Sequence, residues 1–272
     1  MGYKSKPYLL MTGTILPVNC PSLISFSHQE RHAMYLAAFK YYVEKLKSGS
    51  AYAGVVFCEN SNCALDEFIE YAKDMSNVEV ISAPPELFPS YLGKNNDFNI
   101  IDYAIGHSAL LSTNESCFFK VTGRYYIENV DDLICDINSE SDDIDFFCDL
   151  KDFQLLPLCG PKWRIWDADT RYFFSSRNFW IENFYEYYKK HPKCIPVERV
   201  AWGISMMNLR NRACRFRFKR EAYLNGDYYT SQNAEYVKFL GLHIRPETYF
   251  KIRVARWRIE TIARHVLPNF WF

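Results

Sequence analysis

The sequence predicts an α/β fold: an open, mixed and mostly parallel sheet flanked by helices, followed by a basic helical C-terminal region. Three observations predict it. The apolar runs YLLMTGTI (8–15) and GVVFCEN (54–60) lack the in-out alternation of a half-solvated sheet, so they read as strands covered on both faces. Segments with helical spacing separate them, giving a βαβαβ opening. The chain of 272 residues, 49% hydrophobic and 17% aromatic, is long and apolar enough to bury a substantial core, which excludes a disordered protein.

The elements follow in order. After the first strand and a Pro-containing loop, Gln29 to Leu46 spaces Met34, Ala37, Ala38, Tyr41 and Tyr42 as one face of a helix. The second strand leads to a helix over Leu65 to Asp74 and a strand VEVISA (78–83), closed by Pro84-Pro85. A loop with Gly93 and Lys94 precedes a helix over 98–111, whose Ile101, Ala104, Ile105 and Leu111 face the sheet, and then a strand over 117–127. The segment DDLICDINSESDDID carries seven Asp and Glu and reads as a solvated loop, because its spacing fixes no coordination geometry. A strand (145–150), a polar turn, the strand RYFFSS, a helix from Asn178 to Lys190 ending near Pro192, and a helix from Val197 to Leu209 complete the core. Last comes an amphipathic helix over 250–267, with Ile252, Ala255, Ile259, Ile262 and Val266 on one face and Lys251, Arg253, Arg256, Arg258 and Arg264 on its flanks. The division expected is a core over 1–208 and a basic region over 209–272.

Charge supports that division. Net charge is zero, yet residues 209–272 hold 13 Lys and Arg against 5 Asp and Glu, leaving 19 against 27 in the remainder. A basic quarter asks for an acidic partner: phospholipid, nucleic acid or the acidic body of the same protein. Within it RFRFKR (215–220) alternates cation and aromatic, as nucleic-acid stacking wants and as a half-buried edge strand also gives. Nine cysteines without a CxxC pair suit free thiols in a reducing compartment. The start lacks a signal-peptide apolar region and no run of 18 apolar residues occurs, so the expectation is a cytoplasmic chain without a membrane span. GxxxxGK[ST], GxGxxG and GxSxG are absent, and His107, inside an apolar helix, reads as a core histidine.

Three constellations carry chemistry. In CFFKVTGRYYI (117–127), strand alternation puts Lys120, Thr122 and Arg124 on one face, and two cations there need either acidic side chains or a phosphate. Gly123 lets the backbone bend or approach a ligand closely. Asp167 and Asp169 form an Asp-x-Asp that suits a divalent cation bridging a diphosphate, or equally a turn in which one Asp caps backbone amides. Glu198, at the start of a helix, is either a general base or a first-turn acid favoured by the helix dipole.

YLLMTGTI, VVFCENS (55–61), Gly93-Lys94 with IIDYAIGHS (100–108), FFKVTGRYYI (118–127) and DTRYFFSSRNFW (169–180) together resemble the GT-A-type nucleotide-sugar glycosyltransferases of bacterial surface-polysaccharide assembly. The resemblance implies a GT-A-like sheet with the nucleotide over the first strands. It implies transfer from a nucleotide-sugar donor to a hydroxyl of a saccharide or lipid-linked saccharide acceptor, at or near an anionic inner membrane surface, with no nucleic acid. Thr12, Gly13, Thr14, Glu59, Asn60, Lys94, Thr122 and Gly123 would line the donor. Lys120 and Arg124 would stabilise the departing diphosphate, and Asp167, Asp169 or Glu198 would activate the acceptor. One departure stands out: where that family usually has Asp-x-Asp after the fourth strand, this chain has Lys-Val-Thr-Gly-Arg. Two cations there neutralise a diphosphate without a metal, so no cofactor is required. A divalent cation, Mn or Mg, would fall to Asp167 and Asp169. The alternatives are a sugar-phosphate nucleotidyltransferase, which wants a Gly-rich loop where TGTILPVN stands, and a non-catalytic module that binds an acidic surface through its basic quarter.

Overall fold

The computed structural model describes residues 5–17, 26–85, 97–140, 143–152, 166–191, 195–225, 237–239 and 242–244, with 255, 259, 262 and 266. The opening elements are β1 (Tyr8–Gly13), α1 (His28–Gly49), β2 (Gly54–Glu59), α2 (Asp66–Ala72), β3 (Val78–Ser82), α3 (Asp97–His107) and β4 (Cys117–Thr122). They are followed by β5 (Tyr126–Ile127), α4 (Val130–Asn138), β6 (Phe146–Phe147), β7 (Leu150–Asp152), β8 (Trp166–Ala168) and β9 (Tyr172–Ser176). Then come α5 (Arg177–Asn183), α6 (Tyr187–Lys190), α7 (Val197–Met207), β10 (Cys214–Arg215), β11 (Leu224–Asn225), β12 (Val237–Phe239) and β13 (Leu242–Ile244).

The central sheet has seven strands in the order β10-β6-β9-β4-β1-β2-β3. All its pairings are parallel except those of β9, which runs against β4 and β6. It is the open, mostly parallel sheet with flanking helices that the sequence predicts. In β1 and β2 every residue but Tyr8 is buried, which is why these strands read as continuous apolar runs. On one face α1 lays Tyr35, Phe39, Tyr42 and Val43 against Leu9, Met11 and Phe57, with Phe57 stacked on Phe68 of α2. On the other, α3, α5 and α7 cover Leu10, Val56 and Phe118, and the fully buried Trp180 stacks on Phe184. The helix α1 starts with a capping box, in which Ser27 Oγ accepts from the Glu30 N–H and the Glu30 carboxylate accepts from the Ser27 N–H.

The predicted elements differ from the fold in several places. The strand expected over 117–127 stops at Thr122, where the Tyr125 N–H donates to the Thr122 carbonyl and turns the chain. Tyr126 and Ile127 pair instead with β11, so alternation no longer governs Arg124. The acid-rich segment is not a loop. Val130, Leu133, Ile134 and Ile137 recur at helical spacing and are buried, so α4 forms; of its acids Asp132 is exposed, Asp131 half-buried and Asp136 buried. The helix expected over 178–190 is broken between α5 and α6, where Glu186 takes the left-handed conformation (φ 55°). His107 is no core residue: it is exposed at the end of α3, its ring stacked 3.8 Å from that of Tyr103.

Part of the basic quarter belongs to the core. Cys214 and Arg215 form the edge strand β10, and Phe216 and Phe218 are buried. The cations around them meet acids in and just after α4: Arg215 and Lys219 pair with Glu140, two residues past the helix, at 2.9 and 3.1 Å, and Arg220 pairs with Asp132 at 2.9 Å. The RFRFKR alternation is therefore an edge strand whose partner is the acidic body of the same protein. Further on, residues 255, 259, 262 and 266 are helical and exposed, while Ile252 and the flanking arginines lie outside the described residues. No described helix is long and apolar enough to cross a membrane. Cys58, Cys63, Cys117, Cys135, Cys148 and Cys214 are free thiols, and burial pushes the thiols of Cys58 and Cys148 up in pKa, so they are inert core residues.

The break at Glu186 has an electrostatic partner. Asp102 of α3 accepts from Trp180 Nε1 at 2.8 Å and from the Glu186 N–H at 2.9 Å, which locks the α5–α6 corner onto α3. Burial outweighs both hydrogen bonds and pushes the Asp102 carboxyl up to about 6. A carboxyl raised in the folded chain holds its proton more tightly there than unfolded. Its contribution therefore favours folding at low pH and is lost as pH rises from 3.8 towards about 6. We expect the wild type to lose on the order of 2 kcal/mol relative to Asp102→Asn across that window, read from urea unfolding of both proteins at each pH. Parallel pH curves would show that the carboxyl does not titrate there.

Candidate functional site at the carboxyl end of the sheet

The parallel strands β1, β2 and β4 all end on one edge of the sheet, and β9 begins there. In open α/β sheets ligands bind beyond this edge. The expected residues Thr12, Gly13, Thr14, Glu59, Asn60, Lys120, Thr122, Gly123, Arg124 and Asp169 come together along it. Thr12 lies opposite Thr122 across the β1–β4 ladder, and Gly13 lies opposite Glu59 across β1–β2. Asp167 is in β8 opposite Lys151, with its side chain outside the described residues, and Lys94 lies outside them altogether.

Lys120 is placed differently from the expectation that it meets a departing diphosphate. Its side chain is completely buried, and Nζ donates to Asp97 Oδ2 at 2.9 Å, Thr122 Oγ1 at 3.0 Å and the Thr170 carbonyl at 2.6 Å. An ammonium has three donors, and all three are used inside the protein. Of the two partners that a buried cationic face requires, the fold supplies the acid. Asp97, the first residue of α3, keeps 27% of its side chain exposed and also lies 3.4 Å from Thr12 Oγ1, which donates to it. Asp97 is the residue that sequence reasoning missed. The cation ties it to the strand ends while leaving part of the carboxylate open to a ligand.

Glu59, expected beside the donor, is buried and spent on backbone. One oxygen accepts from the Ile15 N–H at 2.8 Å, the other from the Ser61 N–H at 2.8 Å, and Ser61 Oγ adds a third hydrogen bond. It shapes the loop after β1 rather than facing solvent. The same loop is held by buried Arg31, which donates to the carbonyls of Thr14 and Ile15, and by Thr14 Oγ1, which donates to Asn60 Oδ1 at 2.7 Å. Gly13 and Gly123 serve packing. A Cβ on Gly123 would lie 2.8 Å from the Thr12 carbonyl that its own N–H binds, and one on Gly13 would lie 2.7 Å from the Phe57 ring. Neither glycine makes room for a ligand.

Asp169 is likewise engaged. It is buried, and Arg171 Nε donates to Oδ1 at 2.8 Å while Nη2 pairs with Oδ2. The Arg171 N–H also donates to Asp169 Oδ1 at 3.1 Å, so of the two readings of the Asp-x-Asp the structure shows the turn whose Asp caps a backbone amide, with a bidentate arginine added. Nearby Asp149 accepts from the Tyr172 hydroxyl at 2.6 Å and the Phe218 N–H at 2.8 Å. The carboxylates at the strand ends are thus each taken by a cation or by donors of the chain. No group of three His, Cys, Asp or Glu comes together among the described residues. Asp169 is spent on Arg171, and the side chain of Asp167 lies outside the described residues.

Two further expected residues are half-buried. Arg124 sits in the turn after β4, half-buried, with its guanidinium 5.1 Å from the Tyr125 ring centroid. Glu198 is half-buried in the first turn of α7. The approach to that helix is tied to the α3 start: Tyr188, whose hydroxyl donates to the Ile195 carbonyl at 2.7 Å, packs its ring 6.1 Å from that of Phe98, the neighbour of Asp97.

No family model matches the chain, and no curated protein matches it in sequence. Among solved structures, the galactosyltransferase LgtC in complex with donor and acceptor sugar analogues aligns with 77% of this chain and 72% of its own, at 8% identity and a TM-score of 0.44. A structure of an active-site mutant of LgtC aligns over the same shares at 9% identity and a TM-score of 0.44.

Proposed function

We propose that the protein is a nucleotide-sugar glycosyltransferase that moves a glycosyl group from a nucleotide-sugar donor to a hydroxyl of a saccharide acceptor. One observation carries the reading: polar residues of β1, β2, β4 and the β9 approach converge at the carboxyl end of a parallel sheet around Asp97, a half-open carboxylate fixed by a buried lysine. The resemblance of the strand-end motifs to GT-A-type enzymes supplies the reaction class. A lipid-linked acceptor of surface-polysaccharide assembly and attachment at an anionic inner membrane surface are finer parts of the same proposal.

In transfer the acceptor oxygen forms a bond to the anomeric carbon, the bond to the diphosphate breaks, and the acceptor proton leaves to a base. Asp97, half-open beside Lys120, is placed to accept hydrogen bonds from sugar hydroxyls. Arg124 is assigned the developing charge on the diphosphate, and Glu198 the acceptor proton. Thr12, Thr14, Asn60 and Thr122 offer neutral hydrogen-bonding groups toward the nucleotide.

The test is a thermal-shift screen against UDP, GDP, CMP and their sugars, followed by nucleotide release from any donor that binds. Stabilisation by at least one donor, with slow release in the absence of acceptor, is expected; no response to any donor overturns the reading. With that donor, Asp97→Asn keeps a hydrogen-bond acceptor for Lys120 but loses the charge. We expect it to raise KM about tenfold with a smaller change in kcat, the loss of a charge-assisted hydrogen bond to substrate. An unchanged KM would remove Asp97 from the donor site.

A further inference from the structure

The turn that follows α7 is rigid and faces outward with the wrong residues for a surface bathed only in water. Met207 is 78% exposed and Leu209 46%, and Met206 beside them is also exposed. The turn that presents them is locked. The Asn208 N–H donates to the Ile204 and Ser205 carbonyls, its side chain donates to the Ile204 carbonyl at 2.9 Å, and Asn211 Oδ1 accepts from the Ala213 N–H at 3.0 Å. Arg210 and Arg212 flank the apolar tip, both exposed and neither in an ion pair among the described residues. They differ in this from Arg215, Lys219 and Arg220 a few residues on, whose charges are met by acids in and just after α4. The carboxylate of Asp145, whose N–H binds the Ala213 carbonyl, is occupied by Ser176 Oγ at 2.8 Å.

We infer that the turn 206–212 is a membrane-docking wedge, which seats Met207 and Leu209 among the acyl chains of an anionic bilayer while Arg210 and Arg212 meet its headgroups. Charge complementarity selects this occupant. Two exposed arginines with no ion pair among the described residues, beside three exposed apolar side chains, match a surface that is anionic above and apolar below, whereas a neutral protein face satisfies only half of the patch. A second patch of the same chemistry supports it. Ala255, Ile259, Ile262 and Val266 lie on helical residues spaced four, three and four apart, and all are exposed, in a stretch whose sequence interleaves Lys251, Arg253, Arg256, Arg258 and Arg264. The inference rests on no assignment of the reaction.

The experiment uses the full chain with vesicles of phosphatidylcholine alone and of phosphatidylcholine with phosphatidylglycerol, assayed by flotation at low and high salt. The parent is expected to float with the anionic vesicles, to be released as salt rises, and to ignore the neutral ones. The double variant Met207→Ser, Leu209→Ser is expected to partition about tenfold more weakly, two exposed apolar side chains having been removed from the bilayer. Arg210→Ser with Arg212→Ser is expected to weaken binding at low salt only. All four positions are exposed, so each variant should melt with the parent, and circular dichroism checks this. Equal flotation of parent and Met207→Ser, Leu209→Ser protein would overturn the wedge and leave attachment to the C-terminal helix. Failure of the parent to float would overturn it outright. A parent dimer in sedimentation velocity that the same variant converts to monomer would assign the turn to a second copy of the chain.

Discussion

Lys120→Met is expected to lower the free energy of unfolding by about 3 kcal/mol, although the residue reads in the sequence as a ligand-facing cation. The ammonium it removes supplies donors to Asp97, Thr122 and the Thr170 carbonyl from a completely buried position. A methionine fills the stem but leaves a carboxylate and a carbonyl without their donor. The cost of removing one partner of a buried pair lies mostly in the charge left behind. Asp97 is 27% exposed, which lets water meet part of its charge and puts the loss toward the lower end for such pairs. Removing the acid as well should give back part of that loss, so Lys120→Met with Asp97→Asn is expected to be more stable than Lys120→Met alone. Urea unfolding of the four proteins closes the cycle. A Lys120→Met protein as stable as the parent would mean that the ammonium is not held as described, and would restore it as a candidate for the leaving group.

Lys120 also shows what the sequence made legible. Period-two alternation showed that a cationic face lies on a central strand, and desolvation showed that it must meet an acid or a phosphate. Which of the two was not legible, because Asp97 is 23 residues away and reaches the strand end only through the packing of α3 across the sheet. The order of strands and helices was legible for the same reason that the long-range partners were not: it follows from local apolar spacing. Where local signals conflicted, the apolar one won. In the acid-rich segment seven charges drew the reading to a loop, yet four apolar residues at helical spacing form α4 and place acids in and just after it against Arg215, Lys219 and Arg220. Glu59 presents the converse case. A carboxylate at a strand's carboxyl end has the residue type and position of a ligand contact, and only the fold shows both its oxygens closed by Ile15 and Ser61.

On the proposed assignment of Arg124 to the charge of the departing diphosphate, Arg124→Ala is expected to cut kcat by about 10²–10³-fold. The residue sits in the turn after the central strand β4, fixed on one side by the Tyr125 N–H bond to Thr122 and on the other by the Gly123 N–H bond to the Thr12 carbonyl. That turn follows directly on the ladder between β1 and β4, in the middle of the seven-stranded sheet. A preorganised cation stabilises charge that develops only in the transition state, so its loss appears in kcat more than in KM. The side chain is half-buried and lies beside the Tyr125 ring, and the melting curves of variant and parent separate a loss of charge from a loss of fold. If Arg124 meets the leaving group in place of a metal, the parent's turnover is expected to persist in EDTA. A folded Arg124→Ala protein with near-parental kcat would remove Arg124 from the reaction. Loss of parental activity in EDTA, restored by Mn or Mg, would return the leaving-group charge to a metal and Asp167 to the site.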